Sequence, residues 1–369
     1  MNPTQNTGIY IHIPFCRSKC PYCDFYSLRT QKKADAYTDA VTDEIKTLRR
    51  LSGFVDESAR SEKADSVYFG GGTPSVMGEK RLADMLSAVM NNFTTDNNAE
   101  ITAEVNPSLK SPDTFFGGIA QAGFNRVSIG MQSAVDAERR ALGRTAEADD
   151  VKAAVKSARR AGIHDISLDV MLGIPMQTEK TLAYTLDFAL SLGITHLSCY
   201  MLQIEEGTVF YRRRDSLKLP TEDETADMYL FMCDRLKSKG MRRYEISNFC
   251  FDGNVSRHNM KYWTLAPYIG IGPSAHSFYG GKRFYFERDT DAFIEGNKAV
   301  FDCIGGTDEE KIMLSLRTDS GILISGLPEK SLKNLNVLES AGLISEHSGR
   351  ITLTDSGCLV SNSVIAELI

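Results

Sequence analysis

The sequence predicts an α/β fold: a partial (β/α)6 barrel, then an irregular extension, then a small C-terminal winged-helix-like domain. Three observations carry this. Short apolar, β-branched runs alternate six times with stretches of helical periodicity over residues 1–240. The alternation stops after Lys239, where aromatic, Gly and Pro residues crowd together. From about Gly306 a new pattern begins, of two helices and two short strands around a Gly-containing turn.

The six strand-like runs are Gly8–Phe15, Ser66–Gly70, Glu100–Val105, Arg126–Met131, Asp165–Met171 and His196–Leu202. Helical stretches follow them at Asp35–Leu51, Gly78–Asn92, Pro112–Ala122, Ala146–Ala161, Glu179–Leu192 and Glu222–Lys239. Such alternation implies a parallel sheet with right-handed crossovers, either doubly wound or curved into a barrel, and six units fall two short of a closed eight-fold barrel. The predicted segments are therefore 1–240 for the partial barrel, 241–300 for the extension (irregular through Met241–Tyr285), and 301–369 for the C-terminal domain. That last segment carries 5 Lys and Arg against 10 Asp and Glu, so its winged-helix pattern does not point to nucleic acid.

A net charge of −6 agrees with that exclusion, and no apolar run approaches the roughly 18 residues of a membrane span. The stretch "MNPTQNTGIYIHIPF" has neither the basic nor the apolar region of a signal peptide, so a cytoplasmic location is expected. Of eight cysteines, Cys199, Cys233, Cys250, Cys303 and Cys358 follow no spacing and read as small core residues. The other three, Cys16, Cys20 and Cys23, crowd into the loop after the first strand.

In parallel β/α sheets, ligands collect on the loops at the carboxyl ends of the strands. Here those loops read "CRSKCPYCDF", "GGGTPS", "EVNP", "GMQS" and "DVMLGIP", furnished for one shared site. Three thiolates spaced Cys-x3-Cys-x2-Cys suit three corners of a metal centre. A structural zinc would need a fourth ligand, for which His12 is available; a [4Fe–4S] core held by three cysteines keeps one iron open to a small molecule.

The motif resembles that of the radical SAM superfamily, in which such a loop holds a [4Fe–4S] cluster whose fourth iron is chelated by S-adenosylmethionine. The resemblance implies Cys16, Cys20 and Cys23 as cluster ligands, and "GGGTP" as the glycine motif whose backbone, at Gly71, Gly72 and Thr73, accepts the cofactor's amino group. "YIHIPFC", "YFGGGTP", "AEVNP", "SIGMQS", "LGR", "SLDVMLGIPMQT" and "RHNMKYW" look like motifs of the branch that contains oxygen-independent coproporphyrinogen oxidases and heme chaperones. By that match Tyr10 and Tyr22 would line the cofactor, Glu104, Gln132 and Asp169 would bind its polar groups, and Arg144 would pair with its carboxylate. Each residue type suits its task, since a guanidinium fork matches a carboxylate while acidic and amide side chains accept from amine and ribose hydroxyls.

Within the branch, oxidases carry a further cysteine where this chain has Phe25, and they carry a longer N-terminal segment before the motif. Both features direct the expectation from an oxidase towards a protein that binds heme and hands it to an acceptor protein, with the oxidase as the alternative. Another radical SAM reaction on a different substrate is a more distant one. "RHNMKYW", Arg257–Trp263, resembles the HNxxYW motif of the heme chaperones. It makes His258 the heme-ligand candidate, Tyr262 and Trp263 supporting groups, and His276 in "GPSAHSFYG" the rival.

Overall fold

The computed structural model describes residues 6–369; residues 1–5, which hold the start of the stretch read for a leader, lie outside that range. Strands β1 (Thr7–Ile13), β2 (Ala64–Gly71), β3 (Thr95–Val105), β4 (Arg126–Gln132), β5 (Asp165–Leu172) and β6 (His196–Met201) lie side by side in chain order. Each neighbouring pair is parallel. The order never reverses, and the crossover helices Ala34–Thr47, Glu79–Asn92, Pro112–Ala122 and Ala148–Arg160 pack successively on one another. Helices on one side only leave a curved half-barrel with a free inner face.

Period-2 alternation explains what each face holds. Ile9, Ile11, Val67, Phe69, Ala103, Val127, Ile129, Ile166, Leu168 and Leu197 are fully buried in the main core. The intervening residues Tyr10, His12, Ser66, Tyr68, Glu104, Ser128, Ser167, Asp169 and Ser198 form the inner face. Their cross-strand register sets Tyr10 beside Tyr68, Glu104 beside Ser128, and Asp169 beside Ser198. Hydrophobic burial thus drives the outer layer together, and the polar residues are left to one another on the concave side.

The segment read as irregular is ordered. β7 (Arg242–Glu245) and β8 (Asn248–Cys250) extend the sheet beyond β6, antiparallel. β9 (Tyr268–Ile271) pairs parallel with β1 at the opposite edge, and β10 (His276–Tyr279), β11 (Lys282–Tyr285) and β12 (Val300–Ile304) continue from it as an antiparallel meander. The whole is a 12-stranded sheet. Runs of three to five residues between Gly and Pro carry little strand signal of their own; here the open edges of β1 and β6 supply their hydrogen-bonding partners. Between β8 and β9, helix Arg257–Trp263 crosses the concave side near the strand starts, where Glu100 accepts from the backbone N–H groups of Arg257 (2.8 Å) and His258 (3.1 Å).

Two further differences are local. The first helix ends at Thr47 rather than Leu51, because Leu48 turns left-handed (φ 49°) and donates its N–H to Glu44. Of the five scattered cysteines, Cys303 is exposed on the edge strand β12, while the other four are buried.

The C-terminal helices Asp308–Ser315 and Glu329–Ser340 pack with a three-stranded antiparallel sheet of β13 (Ile322–Leu323), β15 (Arg350–Leu353) and β14 (Ile344–His347), followed by Asp355–Leu359 and Ser361–Leu368. The winged-helix-like pattern is present. It is tied to the sheet by Asp319 N–H to Tyr244 O (2.9 Å), Ile246 N–H to Arg317 O (3.0 Å) and Arg243 to Asp355 (2.9 Å). Among the described residues no helix is long and apolar enough to cross a membrane.

Candidate functional site

A cavity of about 370 Å³ opens at the carboxyl ends of β1–β6. All five furnished loops reach it: Cys16, Cys20, Tyr22 and Cys23; Gly71, Gly72 and Thr73; Glu104; Gln132 with Arg144; and Asp169.

The cysteine loop is pinned at both ends. Leu28 accepts from Cys16 N–H (2.9 Å) and donates its own N–H to Pro14 O (2.7 Å), which returns the chain to the end of β1. His12 Nε2 meets the Tyr26 carbonyl at 3.1 Å, and Phe210 N–H donates to Pro21 O at 2.9 Å. Between these anchors all three thiols are free and half-buried, and Cys16 Sγ shares a hydrogen bond with Thr73 Oγ1 at 3.3 Å. Burial, with Cys20 and Cys16 beside it, pushes the Cys23 thiol up. Three cysteines in one cavity suit a cuboidal cluster that keeps one iron open, whereas a structural zinc takes a fourth protein ligand.

The glycine motif is demanded by the protein itself. At Gly71 (φ 105°) a Cβ would stand 2.4 Å from the His12 ring, and at Gly72 it would stand 2.7 Å from the Ile13 carbonyl oxygen. Gly72 N–H donates to Ile13 O and Thr73 N–H to Phe15 O, both at 2.8 Å, locking this loop against the cysteine loop.

Beside this loop Glu104 accepts from Tyr68 Oη (3.0 Å) and from Gly71 N–H (3.2 Å). Burial first, then the negative charge of Asp169, raises the Glu104 carboxyl to about 7. Burial also raises Asp169, which accepts from Ser128 Oγ at 2.8 Å. Two half-buried carboxyls facing one cavity make an acceptor surface for a cationic, hydroxyl-rich ligand. Gln132 holds a left-handed backbone (φ 69°), strain of about 1–3 kcal/mol that turns its side chain into the cavity. Arg144 donates to Tyr22 Oη at 3.2 Å, and its buried Nε has no partner. Burial opposes that charge, yet Tyr22, Cys20 and Asp169 hold the guanidinium firmly ionised. An unpaired, buried Nε on a half-buried guanidinium is a place prepared for an anion such as a carboxylate. The donor set, the thiols and the orphaned Nε together fit a [4Fe–4S] cluster with an amino acid-bearing sulfonium beside it.

Tyr10 bonds His12 Nδ1 at 3.1 Å and packs on Tyr68, which lines the cavity, and on His258. His258 is fully buried, with Nδ1 at 3.0 Å from Ser66 Oγ and Nε2 at 3.0 Å from Tyr262 Oη, and burial drives its imidazole down to about 3. Tyr262 packs edge-on against Tyr268, and Trp263 lies under Arg317, so both support the helix. Conversely, Tyr68, Arg126, Ser128, Ser198 and Asn259 line the cavity without having been singled out. Polar residues at alternate positions within strand runs, as in Ser128 or Ser198, were the available signal.

Residues 10–189 match the model of the radical SAM superfamily. Over 377 aligned residues the chain is 32% identical to the heme chaperone HemW of Mycobacterium tuberculosis, covering 100% of this chain and 96% of that protein. It is 33% identical to heme chaperone HemW of Bacillus subtilis, with 98% of each covered. Coproporphyrinogen III oxidase (HemN) of Escherichia coli, a radical SAM enzyme, superposes with a TM-score of 0.83 at 22% identity over 98% of this chain and 90% of its own, a likeness of fold. The chain therefore belongs to the radical SAM superfamily and, within it, to the family of the HemW heme chaperones.

Proposed function

We propose that this protein binds heme and transfers it to an acceptor protein, and that it carries a [4Fe–4S] cluster with exchangeable S-adenosylmethionine. The observation that supports it most is the full-length correspondence with proteins named heme chaperones, both of which it matches across sheet, extension and C-terminal region alike. Phe25, in place of the oxidases' additional cysteine, agrees; its ring stands 68% exposed at the cavity rim.

In this reading Cys16, Cys20 and Cys23 would hold the cluster, which when bound and reduced would supply an electron to a sulfonium cofactor. Arg144 clamps the cofactor's carboxylate, and Tyr22 aims the guanidinium. Glu104, whose two oxygens are fixed by Tyr68 and Gly71 N–H, binds the cofactor's polar groups together with Asp169 and Gln132. The backbone of Gly71, Gly72 and Thr73 accepts its amino group. Residues 1–240 form the cofactor unit, 241–300 its extension and 301–369 an acidic packing module. The charge balance and the cysteine usage support a cytoplasmic setting.

The test is a parallel incubation of reconstituted full-length protein with reductant and S-adenosylmethionine, with coproporphyrinogen III in one arm and heme in the other. Stable heme binding without decarboxylated product supports the chaperone. Turnover of coproporphyrinogen supports the oxidase and overturns the proposal.

A further inference from the structure

Of the six histidines, His12, His196 and His258 are tied at both ring nitrogens by protein groups. Among the described residues no ring hydrogen bond holds His164, His276 or His347, and all three are exposed. His12 differs from the other two tied rings in its place. It stands one residue before β1 ends and the chain leaves for the cysteine loop, paired in register with Gly70, the neighbour of Gly71. Its buried imidazole fills the space between these two cavity-lining loops. Nε2 meets the carbonyl of Tyr26, three residues beyond Cys23, at 3.1 Å, and Nδ1 meets Tyr10 Oη at 3.1 Å. The ring edge between them faces Gly71, where any Cβ would collide with it. A carbonyl oxygen only accepts, so Nε2 carries the ring proton and Nδ1 accepts from the Tyr10 hydroxyl. Burial lowers the imidazole to about 4, which keeps it in this neutral form.

Tyr26 is gripped a second time, from the extension. Thr290 N–H donates to Tyr26 Oη at 2.9 Å, and Thr290 Oγ1 lies 3.1 Å from the same hydroxyl, at the start of helix Thr290–Glu295. The residue that closes the cysteine loop is thus fixed at its carbonyl by β1 and at its phenol by a helix far along the chain. His12 in turn cannot swing away, because its own carbonyl accepts from Tyr37 Oη. None of these contacts touches a thiol. What they control is where the cysteine loop stands relative to Gly71, and groups that orient ligands in this way are commonly worth as much as the ligands themselves.

We propose that His12 and Tyr26 are positioning residues for the cluster site. His12, as the Nε2–H tautomer, holds the Tyr26 carbonyl and spaces the cysteine loop from the glycine motif, which sets the separation between the three thiols and the backbone of Gly71, Gly72 and Thr73. Thr290 holds the other end of Tyr26 and so ties that separation to the extension. The assignment rests on the cluster reading above and adds to it the residues that keep the loop in register.

The test compares full-length wild type with His12→Leu, His12→Gln and Tyr26→Phe. In cluster-free protein, amide hydrogen exchange is followed at Cys16 and Leu28, whose N–H groups close the loop. Exchange there is expected to quicken roughly tenfold or more in His12→Leu and less in His12→Gln, whose side-chain amide can still donate to the Tyr26 carbonyl. After anaerobic reconstitution, electron paramagnetic resonance of the reduced cluster is recorded as S-adenosylmethionine is added. His12→Leu is expected to hold iron yet to bind the cofactor roughly tenfold or more weakly, with an altered spectral response. His12→Gln restores the wild-type response, a rescue that general destabilisation does not show, and Tyr26→Phe, which loses only the Thr290 contact, falls between. Wild-type exchange, affinity and spectrum in both His12→Leu and Tyr26→Phe overturn the assignment; where His12→Leu does not fold, the same result in Tyr26→Phe overturns it. Failure of the wild type to take up iron removes the cluster reading instead.

Discussion

Arg144 donates to the Tyr22 hydroxyl at 3.2 Å and so joins the loop after β4 to the cysteine loop, while its buried Nε remains without a partner. A guanidinium pre-aimed by a neighbouring phenol loses little freedom on meeting a carboxylate. Arg144→Gln is expected to weaken S-adenosylmethionine binding by roughly 10- to 100-fold, equivalent to about 1.4–2.8 kcal/mol. Calorimetric titration of cluster-loaded protein checks it; an unchanged Kd places the carboxylate elsewhere.

Cluster retention depends on the three thiols of the pinned loop. After anaerobic reconstitution the wild type is expected to hold about four irons. Replacing Cys16, Cys20 and Cys23 together by Ala removes the iron and the cluster absorbance. Cys199, Cys233, Cys250 and Cys358, buried in the fold, are irrelevant to iron content. Iron that persists in the triple variant contradicts the ligand set.

Glu104 provides a pH signature. Its folded pKa of about 7 lies above the ordinary 4.5, so the folded state retains a proton that the unfolded chain releases. This contribution is fully present below pH 4.5 and is lost as pH rises through about 7. Glu104→Gln is expected to lose less stability than the wild type across that window, the difference reaching at most about 3 kcal/mol. Urea unfolding of cofactor-free protein at several pH values measures it, and parallel curves refute it.

His258 acts in the opposite direction. Its folded pKa of about 3 lies below the ordinary 6.5, so its contribution is present above pH 6.5 and lost as pH falls towards 3. Removing the ring leaves Ser66 and Tyr262 without their partner and opens space beneath Tyr68. His258→Ala is therefore expected to destabilise the protein by roughly 2–4 kcal/mol at neutral pH and to flatten the acid limb of its stability curve. A variant as stable as the wild type is incompatible with this structural role.

The barrel units were legible because each carries its own signal. An apolar β-branched run and an amphipathic helix declare themselves within a window of about 11–18 residues. The cluster loop was equally local, three cysteines within eight residues. Tyr68 and Ser128 were missed because an isolated polar residue in a strand looks the same whether it faces solvent or a shared cavity.

The sequence by itself determined the alternating core, the loop order at the carboxyl edge and the chemistry available there, since all of these follow from periodicity and spacing along the chain. Tertiary structure alone decided which histidine is free. His258 and His276 both stand in aromatic-rich segments with no strong pattern, and their difference depends on contacts distant in sequence. Helix Arg257–Trp263 presses His258 against Ser66 on β2, closing both nitrogens, whereas pairing of β9 with β1 carries His276 to the open edge beside the cysteine loop. Those contacts are set by which sheet edges remained unpaired, a property of the assembled sheet and not of either segment.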